Sequence, residues 1–140
     1  MGIFSKNKSM LGKNNMVEIA IELLKDLGKE LIVKNDYAPL LNDFIKNMSG
    51  EIKGIAVGKE VEVLDMNTLV EFSKKYIVAN CNVIVAINTM KDGESYVYLA
   101  YSKDRNLLPI ENNKYLIIKA KSLSKEVESL FEESSLVILK

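Results

Sequence analysis

Two apolar runs, "NVIVAIN" at 82–88 and "SYVYLAY" at 95–101, lie on either side of Asp92-Gly93. Both are too short for stable helices and are rich in β-branched or aromatic residues, which suits a pleated, packed surface. An Asp-Gly pair between such runs is the strongest local signal for a two-residue hairpin, because a type I′ turn needs positive φ at both central positions. The chain is therefore expected to be organised around a sheet that contains this hairpin. "NVIVAIN" is continuously apolar and predicts a central strand buried on both faces. In "SYVYLAY", Val97, Leu99 and Tyr101 share one face and Tyr96, Tyr98 and Ala100 the other. The aliphatic face is the expected core face. That leaves Tyr96 and Tyr98 as candidate interface residues, able to pack across strands or to anchor a partner. Base stacking of the RRM kind calls for lysine, arginine or glycine among the aromatics, and "SYVYLAY" has none.

The rest of the chain supplies helices and further strands. "NNMVEIAIELLKDLG" has apolar residues at 17, 20, 21, 24 and 27, the spacing of one helix face, with Asn15 as cap and Gly28 as stop. "ELIVK" at 30–34 reads as a short strand or a connector. "DYAPLLNDFIKNMSG" has the clearest helical stripe: Tyr37, Leu40, Leu41, Phe44, Ile45 and Met48. Asp36 is its expected cap, Pro39 falls in the first turn where proline is tolerated, and Gly50 ends it. "EIKGIAV" and "EVEVLD" read as two short strands around Gly58-Lys59. "TLVEFSKKYIV" reads as a helix with Thr68 and Glu71 at capping-box spacing. "KYLIIKA", the helix "SLSKEVESLFEE" and the strand "SLVILK" complete the order.

The expected fold is α+β: a single, mostly antiparallel sheet of about five to six strands packed by helices. Residues 1–15 are expected to be a flexible basic tail and 16–140 one domain. Over residues 36–132 the order is helix, two strands, helix, three strands, helix. That order resembles profilin-like folds, the roadblock/light-chain family in particular, and the related sheets of GAF and PAS sensor domains. The resemblance implies a topology and no chemistry.

Composition narrows the function. The 140 residues hold no histidine and one cysteine, Cys81. Imidazole-based zinc sites and Ser-His or Cys-His pairs are impossible, and so is an internal disulfide. Lys plus Arg equals Asp plus Glu at 19 each, so there is no basic excess to argue for nucleic acid. No run approaches the roughly 18 apolar residues of a spanning helix. The stretch "MGIFSKNKSMLGKNN" lacks a signal peptide's apolar core and has Lys6 where myristoylation wants Ser or Thr. Membrane contact is expected only through this tail.

Few constellations remain. Gly50, Gly54 and Gly58 before Lys59 evoke a phosphate loop, but Lys53 stands where the first glycine belongs and Glu60 where a hydroxyl belongs. A helix stop and a hairpin turn are the expected reading. Cys81, with only Lys74 and Lys75 close in sequence, is expected to be structural. Glu60 with Glu62, and Asp92 with Glu94, are the carboxylates that acid–base or metal chemistry would use. Charged side chains on an edge strand more often serve solubility.

These features lead to the expectation of a small cytoplasmic, non-catalytic protein-binding domain. It would act through a protein partner or through self-association, with no cofactor, no metal and no nucleic acid. The alternative is a small-molecule sensor of PAS or GAF type, with an apolar pocket between sheet and helix. A carboxylate-based enzyme comes third.

Overall fold

The computed structural model describes residues 16–26, 31, 33, 37–48, 55–77, 81–104, 106–108 and 114–139. The expected tail, the caps Asn15 and Asp36, the stops Gly28 and Gly50, and most of 30–34 lie outside them. Leu31 and Val33 belong to no strand.

The described chain runs α1 (16–26), α2 (Ala38–Met48), β1 (Ala56–Leu64), α3 (Met66–Lys75), β2 (Val83–Lys91), β3 (Glu94–Lys103), β4 (Asn106–Leu107), β5 (Tyr115–Leu123), α4 (Lys125–Leu130) and β6 (Leu136–Leu139). All six strands join one open sheet, in the order β1-β5-β3-β2-β6, with β4 paired to β3. The β1–β5 pair is parallel and the others antiparallel. This is the α+β, single-sheet class.

Helices cover both faces. α1 and α2 close one core with Ala20, Leu24, Phe44, Ile87, Tyr98 and Ile117. α3 and α4 close the other with Leu69, Phe72, Val97, Leu99, Ile118 and Val127. The apolar stripes of the first two helices end where their periodicity predicts: Val17, Ala20, Ile21 and Leu24, then Leu40, Leu41 and Phe44, are all buried.

The hairpin forms as expected. Asp92 and Gly93 have φ of 54° and 81°, the two left-handed positions of a type I′ turn. β2 is an interior strand between β3 and β6 with Val85, Ala86 and Ile87 fully buried on its two faces, as expected, but β3 is enclosed further than expected. β3 is the middle strand, buried on both faces from Ser95 to Ser102, while β2 is less enclosed and ends in exposed Met90 and Lys91. "YVYLAY" is itself an unbroken apolar run, which is what a doubly covered strand requires.

Two further expectations are corrected. Gly58-Lys59 is not a turn, since residues 56–64 form one continuous strand paired to β5 throughout. Gly58 serves close approach instead: a Cβ there would stand 2.5 Å from Met16 Cε and 3.0 Å from Val17 Cγ2. The third helix starts earlier than the Thr68–Glu71 spacing suggests. Asp65 is its cap, and its Oδ1 accepts from the Thr68 amide at 2.8 Å.

Candidate functional site

Tyr96 and Tyr98 lie on the sheet face that this chain's own α1 and α2 cover. They are 5% and 0% exposed. The Tyr98 hydroxyl donates to the Ala20 carbonyl of α1 at 2.5 Å and accepts from Thr89 Oγ1 at 3.4 Å. Two other phenols repeat the pattern. Tyr115 accepts from Asn47 Nδ2 of α2 at 2.7 Å, and Tyr101 donates to the Ser73 carbonyl of α3 at 2.6 Å. Phe44 meets both Tyr98 and Tyr115 edge to face. Burial pushes the pKa of all three hydroxyls above the ordinary phenol value. In this arrangement the tyrosines tie helices to the sheet, and the expectation of exposed interface anchors at Tyr96 and Tyr98 is corrected by that cover.

The carboxylates are placed differently. Glu60 and Glu62 share the α1 side of β1, as their spacing predicts. Each faces a lysine of β5: Glu60 to Lys119 at 3.7 Å and Glu62 to Lys121 at 3.3 Å. Glu94 reaches the same Lys119 at 3.8 Å. Glu94 is thereby separated in role from Asp92, which serves the turn. These are cross-strand charge pairs on a wet surface, a setting where each contributes about 0–1 kcal/mol. Among the described residues no cluster of three or more His, Cys, Asp or Glu is arranged to hold a metal.

β1 is where the sheet stops. Among the described residues it pairs only with β5, so its outer side carries backbone groups with no strand beside them. At nine residues it is much longer than the opposite edge, the four-residue β6. Beside this edge, on the α3 side, runs a groove of about 520 Å³ lined by Val57, Val61, Phe72, Tyr76, Lys59 and Lys75 among others. The Phe72 and Tyr76 rings meet edge to face at 5.7 Å. Lys59 Nζ lies 5.7 Å from the Phe72 centroid and Lys75 Nζ 5.7 Å from that of Tyr76. The groove thus has an aromatic wall with a lysine beside each ring, and Thr68 and the carboxylate of Glu71 line it as well. Val70 on α3 and Val63 on β1 add exposed apolar surface nearby in sequence.

Sequence reasoning missed this site. Its Gly58-Lys59 was read as a turn, and an edge shows itself only through long-range pairing. The phosphate-loop resemblance is excluded, because Gly58, Lys59 and Glu60 are strand residues. Cys81 is half-buried; its Sγ donates to the Val83 carbonyl at 3.1 Å, and it packs against the α3 core.

A second, smaller pocket of about 360 Å³ lies at the turn end of β2 and β3, against α4. Asn88, Met90, Ser95, Ser122, Leu123 and Phe131 help to line it. The Asn88 Oδ1 atom is buried there without a hydrogen-bond partner.

The chain matches no protein-family model, no curated protein and no solved structure. The fold and the site define the class: an α+β domain on one open mixed sheet, with a long charged edge strand flanked by an aromatic groove. Among the described residues no helix is long and apolar enough to cross a membrane.

Proposed function

We propose that this chain is a non-catalytic protein-binding domain whose binding surface is the β1 edge together with the groove between β1 and α3. The observation that carries the reading is the pairing of a nine-residue edge with an aromatic groove directly beside it. A peptide that adds to a sheet edge gains affinity from main-chain hydrogen bonds and specificity from the pockets its alternate side chains enter. β1 and α3 supply one part each. The lack of histidine and the pairing of Glu60, Glu62 and Glu94 with lysines support a binding role over acid–base chemistry. Self-association through Tyr96 and Tyr98 would require α1 and α2 to leave their places, so the edge is the better candidate surface.

Selection of displayed extended peptides on the immobilised chain tests the reading. Enrichment is expected on the unmodified protein and is expected to vanish for Lys59→Glu combined with Tyr76→Ala, two positions outside the buried core. Enrichment that ignores both substitutions would refute the groove.

One observation favours a second reading, a small-molecule site at Asn88. The buried, unpaired carboxamide oxygen would accept from a ligand N–H or O–H group that reached it, in a pocket whose lining mixes Met90, Leu123 and Phe131 with the charged Lys121, Glu128 and Glu132. Native mass spectrometry of protein taken directly from cells would reveal such a ligand, and its displacement by Asn88→Leu would assign it to this pocket.

A further inference from the structure

We propose that the β1 edge selects an extended segment with basic side chains at alternate positions and turns away a second copy of this chain. The inference rests on reading β1 as the binding edge, and it adds the chemistry of what pairs there.

The charges on the α1 face of the sheet are ordered by strand. The outermost are Glu60 and Glu62, 59% and 80% exposed. The lysines that answer them, Lys119 and Lys121, stand one strand inboard on β5. A strand added beyond β1 therefore meets a row of carboxylates first on this face. On the other face it meets Lys59, with Phe72, Tyr76 and Lys75 behind. Directly opposed residues of neighbouring strands share a face, and successive residues alternate faces. The fitting segment thus carries Lys or Arg over Glu60 and Glu62, and apolar or aromatic side chains over the groove.

The same rule opposes the three symmetric registers that pair at least seven residues of each β1 strand, those centred on Lys59, Glu60 and Val61. A two-fold antiparallel pairing sets residue i against residue j with i + j constant. Centred on Lys59, it opposes Lys59 to Lys59. Centred on Glu60, it opposes Glu60 to Glu60. Centred on Val61, it opposes Glu60 of each copy to Glu62 of the other. Like charges set directly opposite destabilise strand pairing, which is how sheets guard an edge against their own copies.

Fluorescence anisotropy with three labelled peptides tests this on the full chain: one alternating lysine and valine, one alternating glutamate and valine, and the first with backbone N-methyl groups at alternate residues. The lysine peptide is expected to bind at least ~10-fold more tightly than the glutamate peptide at low salt, as charge complementarity requires. N-methylation is expected to abolish binding, and Glu60→Gln with Glu62→Gln to erase the preference without changing the fold. Equal binding of the two alternating peptides, with the lysine peptide's binding lost on N-methylation, would overturn the charge selection and leave the edge standing. Binding that survives N-methylation, or no binding by any peptide, would overturn the edge reading as well. A concentration-dependent dimer of the peptide-free chain in sedimentation, abolished by substitutions on β1, would overturn the rejection of its own copy.

Discussion

β3 and β1 are strands of similar length in one sheet, yet they meet opposite surroundings. β3 is enclosed by β2 and β5 at its sides and by helices above and below, with Val97, Tyr98 and Leu99 fully buried. β1 has one neighbour among the described residues, and Lys59, Glu60 and Glu62 stand in solvent. The sequences carry this difference. "YVYLAY" offers an apolar side chain to each face in turn, whereas "GKEVEV" offers charge. The comparison teaches that the hairpin's middle strand is the one both cores enclose, and that the strand at the sheet's edge is one whose side chains keep it wet.

If that contrast is right, the same kind of change has unequal effects in the two strands. Leu99→Ala, in the fully buried middle of β3, is expected to cost about 2–5 kcal/mol in urea unfolding, because it leaves a cavity. A comparable truncation of half-buried Val61 on β1 should cost well under that. Gly58→Val comes next. Its side chain must displace Met16 and Val17, and overpacking of this kind costs roughly 1–3 kcal/mol. A neutral outcome would show that α1 does not sit tightly on β1.

Tyr98→Phe should cost about 1 kcal/mol through the lost hydrogen bond to Ala20. It also carries a pH signature. The folded-state pKa of Tyr98 lies above its unfolded value near 10, so the folded chain holds the phenolic proton more tightly. The associated stability is complete below about pH 10 and is lost as pH rises toward the folded pKa. Tyr98→Phe should therefore weaken the alkaline loss of stability, measured by urea unfolding at successive pH values. An unchanged alkaline profile would place the tyrosine effect elsewhere. The smallest stability effect belongs to the edge. Glu60→Thr with Glu62→Thr should change unfolding by no more than ~1 kcal/mol, since the pairs are exposed. The same pair of substitutions should raise concentration-dependent self-association, read by light scattering, because the like charges that oppose edge pairing are gone.

Much of the fold was legible because it is written locally. The Asp92-Gly93 turn and the stripes of α1 and α2 depend on spacing and backbone preference alone. The misreadings have local causes too. Glycine marks both turns and close approaches, and Gly58 turned out to be the second kind. Asp65 was missed as a cap because the strand before it runs up to Leu64, so the helix begins without a separating loop. The tyrosines of β3 suggested a wet face, yet the Tyr98 and Tyr101 hydroxyls each donate to a helix carbonyl that lies far along the chain. The candidate site was the least legible part. That β1 is an edge follows from its parallel pairing with β5, over fifty residues downstream, which no local pattern encodes.

Residue-resolved amide exchange, with and without the lysine–valine peptide, tests the proposed binding edge most directly. In the free chain, β3 amides are expected to exchange only through global opening, and the β1 amides that point away from β5 to exchange fast. On adding the peptide, those β1 amides should slow by at least ~10-fold as they gain strand hydrogen bonds, while β3 stays as it was. Peptide binding that leaves every β1 amide unchanged would contradict the assignment of β1 as the binding edge.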